Sequence, residues 1–286
     1  IRKSLVGSEM CIRDSITLWG LRLEICQHFD QYANVRPSRL LPGIQSPLKN
    51  IGPTELDWVI VRENTEGEYS GAGGRVHPKL PQEVGIDVSV FTRDGIERVM
   101  RYAFELALTR PKKQLTLVTK SNAQRHGMVL WDEVFEKLKH DYPGITTDRM
   151  LVDAITTRMV LQPQSLDTIV ATNLHADILS DLAAALSGSL GIGPTANINP
   201  EKAFPSMFEP IHGSAFDLVG KDLANPLGAF WSCVMMLEHL QEKKGASLLM
   251  SAIEEVCQEG RHLPKDLGGN SCTGEVTTAV CAALKK

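Results

Sequence analysis

Short apolar runs alternate along this chain with segments of helical periodicity, and several of the runs end in polar clusters. That alternation restricts the fold to layered α/β architectures. Residues 56–61, 115–118 and 166–170 read as strands, with a further strand around 84–90. Thr92 is placed to cap a helix whose apolar face is Ile96, Val99, Met100, Ala103 and Ala107. More helices are expected near 128–139 and 174–187, and three in the tail at 226–240, 246–258 (stopped by Gly260) and 273–284. Glycine and proline concentrate between residues 188 and 210, which reads as a crossing between domains.

The polar clusters carry the chemistry, because open α/β sheets bind ligands at strand ends. Residues 56–61 lead into Arg62-Glu-Asn-Thr-Glu-Gly-Glu-Tyr69, and 115–118 into Thr119-Lys120-Ser-Asn122. Residues 166–170 are followed by Asn173-Leu-His-Ala-Asp177-Ile-Leu-Ser-Asp181. Two aspartates four apart on a helix share one face and repel each other. Mg2+ or Mn2+ held by oxygen ligands would neutralise the pair; equally, acids suit a helix N-terminus. The residues alone leave the two accounts level.

A second polar stretch, Glu209-Pro-Ile-His-Gly-Ser-Ala-Phe-Asp-Leu-Val-Gly-Lys-Asp-Leu-Ala-Asn225-Pro226, closes on an N-cap and a first helical residue. Gly213 and Gly220 admit a close backbone approach, and His212 and Ser214 offer hydrogen-bonding groups, so the loop is able to wrap a nucleotide. Taken alone, an ordered loop before a core helix is the simpler account.

Composition narrows the class. With 286 residues, 43% of them hydrophobic, the chain can bury a core large enough for two domains. A net charge of -4 offers no basic footprint for nucleic acid. No apolar run approaches the ~20 residues that cross a bilayer, and no signal peptide is recognisable. Six scattered cysteines without a CxxC spacing read as reduced thiols of a cytoplasmic protein.

Taken together and in this order, the motifs resemble the metal-dependent β-decarboxylating hydroxyacid dehydrogenases, the family of isopropylmalate, isocitrate, tartrate and D-malate dehydrogenases. The resemblance runs from about residue 16 to the C-terminus. Phe29-Asp-Gln-Tyr-Ala-Asn-Val-Arg36-Pro37 and Arg62-Glu-Asn-Thr-Glu-Gly-Glu-Tyr69-Ser are most similar to the tartrate/D-malate branch. The resemblance implies a two-domain, isopropylmalate-dehydrogenase-like layered fold with its large domain incomplete. Residues 16–32 and 188–286 are then the remnant of the large cofactor-binding domain, and 33–187 the small domain with the dimer interface. Residues 1–15 fit neither a family strand nor a targeting signal and read as a non-native artefact ahead of an N-terminally truncated chain.

The resemblance further implies NAD-dependent oxidation, with or without decarboxylation, of a small 2-hydroxy diacid such as D-malate or tartrate. The site would be shared across a homodimer. Arg36 and Arg62 match carboxylate clamps, suited to that task by the planar guanidinium fork; an ordinary ion pair is the alternative for each. Tyr69 and Lys120 match the family's acid and base, although a tyrosine there also serves as a packing aromatic. Asp177 and Asp181 match the metal-binding pair and Asp153 a third carboxylate, with Lys120 and Asp153 donated across the dimer; unaided, Asp153 is an ordinary helix acid. Asn122, Glu209, His212, Gly213, Ser214, Ala215, Asp217 and Asn225 match cofactor contacts. Asp217, an acid beside the adenosine ribose, favours NAD over a 2'-phosphorylated cofactor.

Three departures stand out. Cys26 replaces an arginine usual ten residues before Arg36, and Arg22, one helical turn earlier, replaces the leucine that lines the isopropyl pocket of isopropylmalate enzymes. A guanidinium there argues for a small polar substituent. Phe216 stands where most of the family has proline. The alternatives are isopropylmalate or isocitrate dehydrogenase specificity, or a non-catalytic member of the family.

Overall fold

The computed structural model describes residues 18–285, so the expectation for residues 1–15 lies outside the described residues. A π-helical turn, Leu18–Arg22, leads into α1 (Leu23–His28), β1 (Ala33–Arg39) and β2 (Asp57–Glu63). β3 (Gly73–Val76) and β4 (Val84–Asp87) form a hairpin. There follow α2 (Arg93–Thr109), β5 (Gln114–Thr119), α3 (Gly127–Leu138), β6 (Thr146–Leu151), α4 (Val152–Leu161), β7 (Thr168–Ala171) and α5 (Asn173–Leu186). β8 (Pro194–Ile198), β9 (Met207–Pro210), α6 (Leu227–His239), α7 (Lys243–Glu259) and α8 (Thr273–Ala283) complete the chain.

Seven strands form one sheet in the order β6-β5-β7-β2-β1-β8-β9. Its β6-β5-β7-β2 half is parallel, and β1, β8 and β9 continue it antiparallel. Side chains alternate across a strand, and the core divides accordingly. Trp58, Ile60, Val118 and Ile169 pack on one face against α4 to α8, whereas Val59, Val61, Leu117 and Val170 pack on the other against α2 and α3. The result is a three-layer α/β/α sandwich, the fold class expected.

Local signals read in the sequence recur. The Thr92 hydroxyl accepts from the Gly95 N–H at 3.0 Å and starts α2, whose expected apolar stripe is buried throughout. Gly260, in the left-handed region at φ 68°, ends α7. Asn225 is expected as the N-cap with Pro226 as the first helical residue, but Pro226 is the N-cap and α6 begins one residue later; Asn225 instead closes a turn before it, accepting from Leu227 N–H at 2.9 Å.

One further expectation needs correction here. The run at 84–90 is not part of the main sheet: only Val84–Asp87 is strand, in an exposed hairpin whose exit is joined to the Arg62 loop by the isolated bridge Gly67 to Val90. Residues 188–210, read in the sequence only as a crossing, also contain two strands, β8, buried throughout, and then β9. Polar Thr195 and Asn197 are buried there because they are hydrogen-bonded, which erases the hydropathy pattern that marks a strand. β1 hides in the same way, with Asn34, Arg36 and Ser38 all buried. Because β8 pairs only with residues 33–35 of β1, Pro37, which has no N–H to give, sits where that side of β1 has no partner strand.

Among the described residues no helix is long and apolar enough to cross a membrane. Cys26, Cys233, Cys257, Cys272 and Cys281 are unpaired.

Candidate active site

The polar motifs gather at the C-terminal ends of the four parallel strands. Arg62 is the penultimate residue of β2, Asn173 opens α5 just beyond β7, Lys120 follows β5, and Asp153 lies in the first turn of α4 just beyond β6. Register then decides which of them meet. Asn34 lies opposite both Arg62 and Asn197, so these three side chains share one face of the sheet, with Arg36 two residues along on the same face. α5 crosses that face.

The centre of the site is Asp177. Arg62, 2% exposed, ion-pairs with its Oδ1, while Arg62 Nε donates to Asn173 Oδ1 at 2.8 Å. Arg36 donates to Ser180 Oγ at 2.6 Å and approaches the same Asp177 oxygen at 3.4 Å. Tyr69 donates its hydroxyl to Asp177 Oδ2 at 3.2 Å, and its ring lies under the Arg62 guanidinium, 5.4 Å from the centroid. Burial opposes ionisation of Asp177, but the charges of Arg62 and Arg36 and the hydrogen bonds from Arg62 and Tyr69 outweigh it and lower its pKa. Burial, and for Arg36 also the Arg62 charge, disfavours the charged form of both arginines. Asp181, one turn on, has no hydrogen bond or ion pair to the described residues; partial desolvation and then the Asp177 charge raise its pKa. For Tyr69, burial and the Asp177 charge push the phenol up.

Three glutamates hold the loop that carries Tyr69. Glu63 accepts from Thr65 and Glu66 N–H groups and from the Thr65 hydroxyl, yet burial still pushes its carboxyl up to about 7. Glu66 accepts from Thr92 at the start of α2. Glu68 accepts from Thr172 and from Leu174 N–H at the start of α5. Acids at two helix N-termini favourably meet the helix dipoles and pin the loop between them.

Lys120 and Asp153 form a separate centre. Thr119 of β5 lies opposite Leu151 of β6, so the residues just beyond are neighbours, and Lys120 Nζ meets Asp153 Oδ1 at 2.6 Å. β7 separates this pair from the Arg62 strand, a lateral offset of roughly 10 Å. Among the described residues no hydrogen bond or ion pair joins the two centres, and no three His, Cys, Asp or Glu side chains converge to hold a metal ion. One chain therefore brings Asp177 and Asp181 together without Asp153.

Arg22 points inward. Its Nε donates to Glu209 Oε1 at 2.9 Å and its other donors reach Asn197 Oδ1 at 3.0 Å and Asn64 Oδ1 at 3.4 Å, with its charge near enough to bear on Arg36 and Arg62. Cys26 is fully buried beside it, and burial pushes its thiol up. Of the expected cofactor contacts, Glu209 is engaged by Arg22 and by Asn197, and Asn225 by the Leu227 N–H and by Asp266. His212, Gly213, Ser214 and Asp217 form an exposed loop that turns at Ala215, φ 43°. Asn122 is exposed in the turn after β5. Asn34, Asn64, Asn173, Ser180 and Asn197 carry no role that the sequence announces: each is a buried polar residue whose partners come from distant segments, and although the first four lie within the motifs, Asn197 lies outside all of them.

Comparison with known proteins follows the same line. The isocitrate/isopropylmalate dehydrogenase family model matches residues 15–282. A probable tartrate dehydrogenase/decarboxylase of Agrobacterium vitis is 66% identical over 273 residues, covering 96% of this chain and 76% of that protein. The decarboxylating D-malate dehydrogenase of Escherichia coli (strain K12) is 47% identical over 284 residues, covering 98% and 78%. Among solved structures, isocitrate dehydrogenase from Methylococcus capsulatus superposes with a TM-score of 0.86 at 37% identity, covering 93% of this chain and 77% of that one.

Proposed function

Since the chain belongs to the isocitrate/isopropylmalate dehydrogenase family, in its tartrate/D-malate branch, we propose that it oxidises D-malate or tartrate with NAD, assisted by Mg2+ or Mn2+. Its kinship with dehydrogenase/decarboxylases makes it an oxidoreductase of hydroxy diacids. The observation that carries the finer reading is the convergence of Arg36, Arg62 and Tyr69 on Asp177.

Charge balance supports both ligands. Asp181 forms no ion pair among the described residues, feels the Arg36 and Arg62 charges only at longer range and lies beside Asp177, so the pair fits a hard divalent cation, which prefers carboxylate oxygens. Two buried guanidiniums and one divalent cation against two aspartates leave a double positive charge, matching the double negative charge of a 2-hydroxy diacid. Arg36 and Arg62 would hold and orient its carboxylates. Lys120 would take the hydroxyl proton, and Tyr69, kept protonated by burial and by Asp177, would return a proton to carbon after loss of CO2. What the ion supplies is positive charge beside the substrate's oxygens, and what NAD supplies is a hydride acceptor. Asp217, exposed and in no ion pair among the described residues, supports NAD.

The separation of Lys120 and Asp153 from the Asp177 centre supports a homodimer in which each chain completes the other's site. The β3–β4 hairpin supports it too, since Val76, Leu80, Val84, Ile86, Val88 and Val90 are all exposed on a ribbon too small to be stable alone; a second copy would cover it. The division into 33–187 and the flanking segments then falls in the sheet between β1 and β8, which share only three register pairs.

The test is a panel of D-malate, tartrate, isopropylmalate and isocitrate assayed for NADH formation with Mn2+, before and after exhaustive chelation. Turnover of D-malate or tartrate that chelation abolishes is expected. Preference for isopropylmalate or isocitrate, or full activity after chelation, would overturn the reading.

A further inference from the structure

Asn197 is a fully buried amide on β8 that plays no part in the chemistry above, yet it collects more of the site than any other side chain. Its Oδ1 accepts from Asn34 at 2.6 Å, Arg22 at 3.0 Å and Asn64 at 3.1 Å, and its Nδ2 donates to Glu209 Oε1 at 2.9 Å. The amide has one orientation, because the flipped form would set its NH2 against three donors. Arg22 donates to the same Glu209 oxygen at 2.9 Å. Asn34 in turn accepts from Arg36 Nε at 2.8 Å. One buried amide therefore sets the direction of two arginines and ties them to Glu209, which stands at the strand end from which the 211–226 loop departs.

We propose that Asn197 is a positioning residue, and that through it and the Arg22–Glu209 pair the binding of nucleotide and of diacid reinforce each other. The inference rests on the diacid and NAD reading above. In the free chain Glu209 neutralises Arg22. A nucleotide that engages Glu209 withdraws that carboxylate, and the Arg22 guanidinium turns to the next available anion, the substrate. Reciprocity requires the diacid to strengthen nucleotide binding by the same factor.

The experiment is calorimetric titration of D-malate or tartrate, with Mn2+ present, in the absence and in the presence of saturating NAD. In the parent, NAD is expected to tighten diacid binding by about fivefold or more. Glu209→Gln, which removes the competing charge, is expected to bind diacid more tightly than the parent without NAD and to gain little from NAD. Asn197→Asp adds a carboxylate beside Arg22 that NAD does not withdraw, so diacid binding should weaken and NAD should no longer help. A merely structural role for this cluster would weaken binding in both variants; the opposite signs separate the two. Should Asn197→Asp fail to fold, Glu209→Gln decides alone. A parent that binds diacid equally with and without NAD, or a Glu209→Gln protein that binds it more weakly, overturns the coupling. A parent that binds no diacid at all overturns the proposed function and the coupling with it.

Discussion

Asp177→Asn should destabilise the protein before any substrate is added. The asparagine keeps an acceptor oxygen for Arg62, and its NH2 group can donate to the Tyr69 hydroxyl in place of the bond that Oδ2 accepts, so the change is chiefly one of charge: two guanidiniums, 5% and 2% exposed, lose the carboxylate between them. Removing one partner of a fully buried pair costs about 3–5 kcal/mol, and an exposed pair about 0–1 kcal/mol. The Asp177 side chain is 38% exposed, so solvent screens part of the loss and about 2 kcal/mol is expected. In a chain of this size that lowers Tm by about 4–6 °C. Because the folded-state pKa of Asp177 is depressed, its contribution is complete above the unfolded value of about 3.9 and is lost as pH falls through the folded value. The Tm gap between parent and variant should therefore be full at neutral pH and close in acid. Thermal melts followed by circular dichroism across that range provide the assay. Equal melting at neutral pH, or a gap that widens in acid, would refute the view that Asp177 serves as the arginines' counter-charge.

Arg22→Leu should reduce kcat/KM for D-malate or tartrate by about tenfold to a hundredfold, as loss of a charge-assisted contact does, whereas Cys26→Ser should change it little; unchanged kinetics on every substrate would remove Arg22 from the site. Lys120→Ala and Tyr69→Phe, each inactive as a pure protein, should recover part of the activity when their subunits are mixed and exchanged. No recovery despite proven exchange would mean that each chain holds a complete site. Asp217→Lys should weaken NAD and improve NADP in steady-state kinetics, by removing an acceptor for the ribose hydroxyls and supplying a cation for the 2'-phosphate; an unchanged preference would place the discriminating group elsewhere.

The elements legible in the sequence are those whose burial is apolar and local. α2 follows from Thr92 and a 3.6-residue stripe, and β2, β5 and β7 from short apolar runs. The motif residues Arg62, Lys120 and Asp177 stand out because polar groups at strand ends are the exception in such a pattern. β1 and β8 were illegible for the opposite reason: they bury arginine and asparagines, and a polar residue reads as buried only when its partners are known. Those partners lie more than a hundred residues away, as Asn197 does from Arg22, Asn34 and Asn64. Likewise the spacing of Asp177 and Asp181 announces a charged helix face, but says nothing of the two arginines that pair with one aspartate and leave the other outside any ion pair among the described residues. The residue types and their spacing thus determine which side chains are chemically able to act. Strand register and the crossing of α5 decide which of them meet, because a hydrogen bond or an ion pair depends on distances of a few ångström that only the assembled sheet sets.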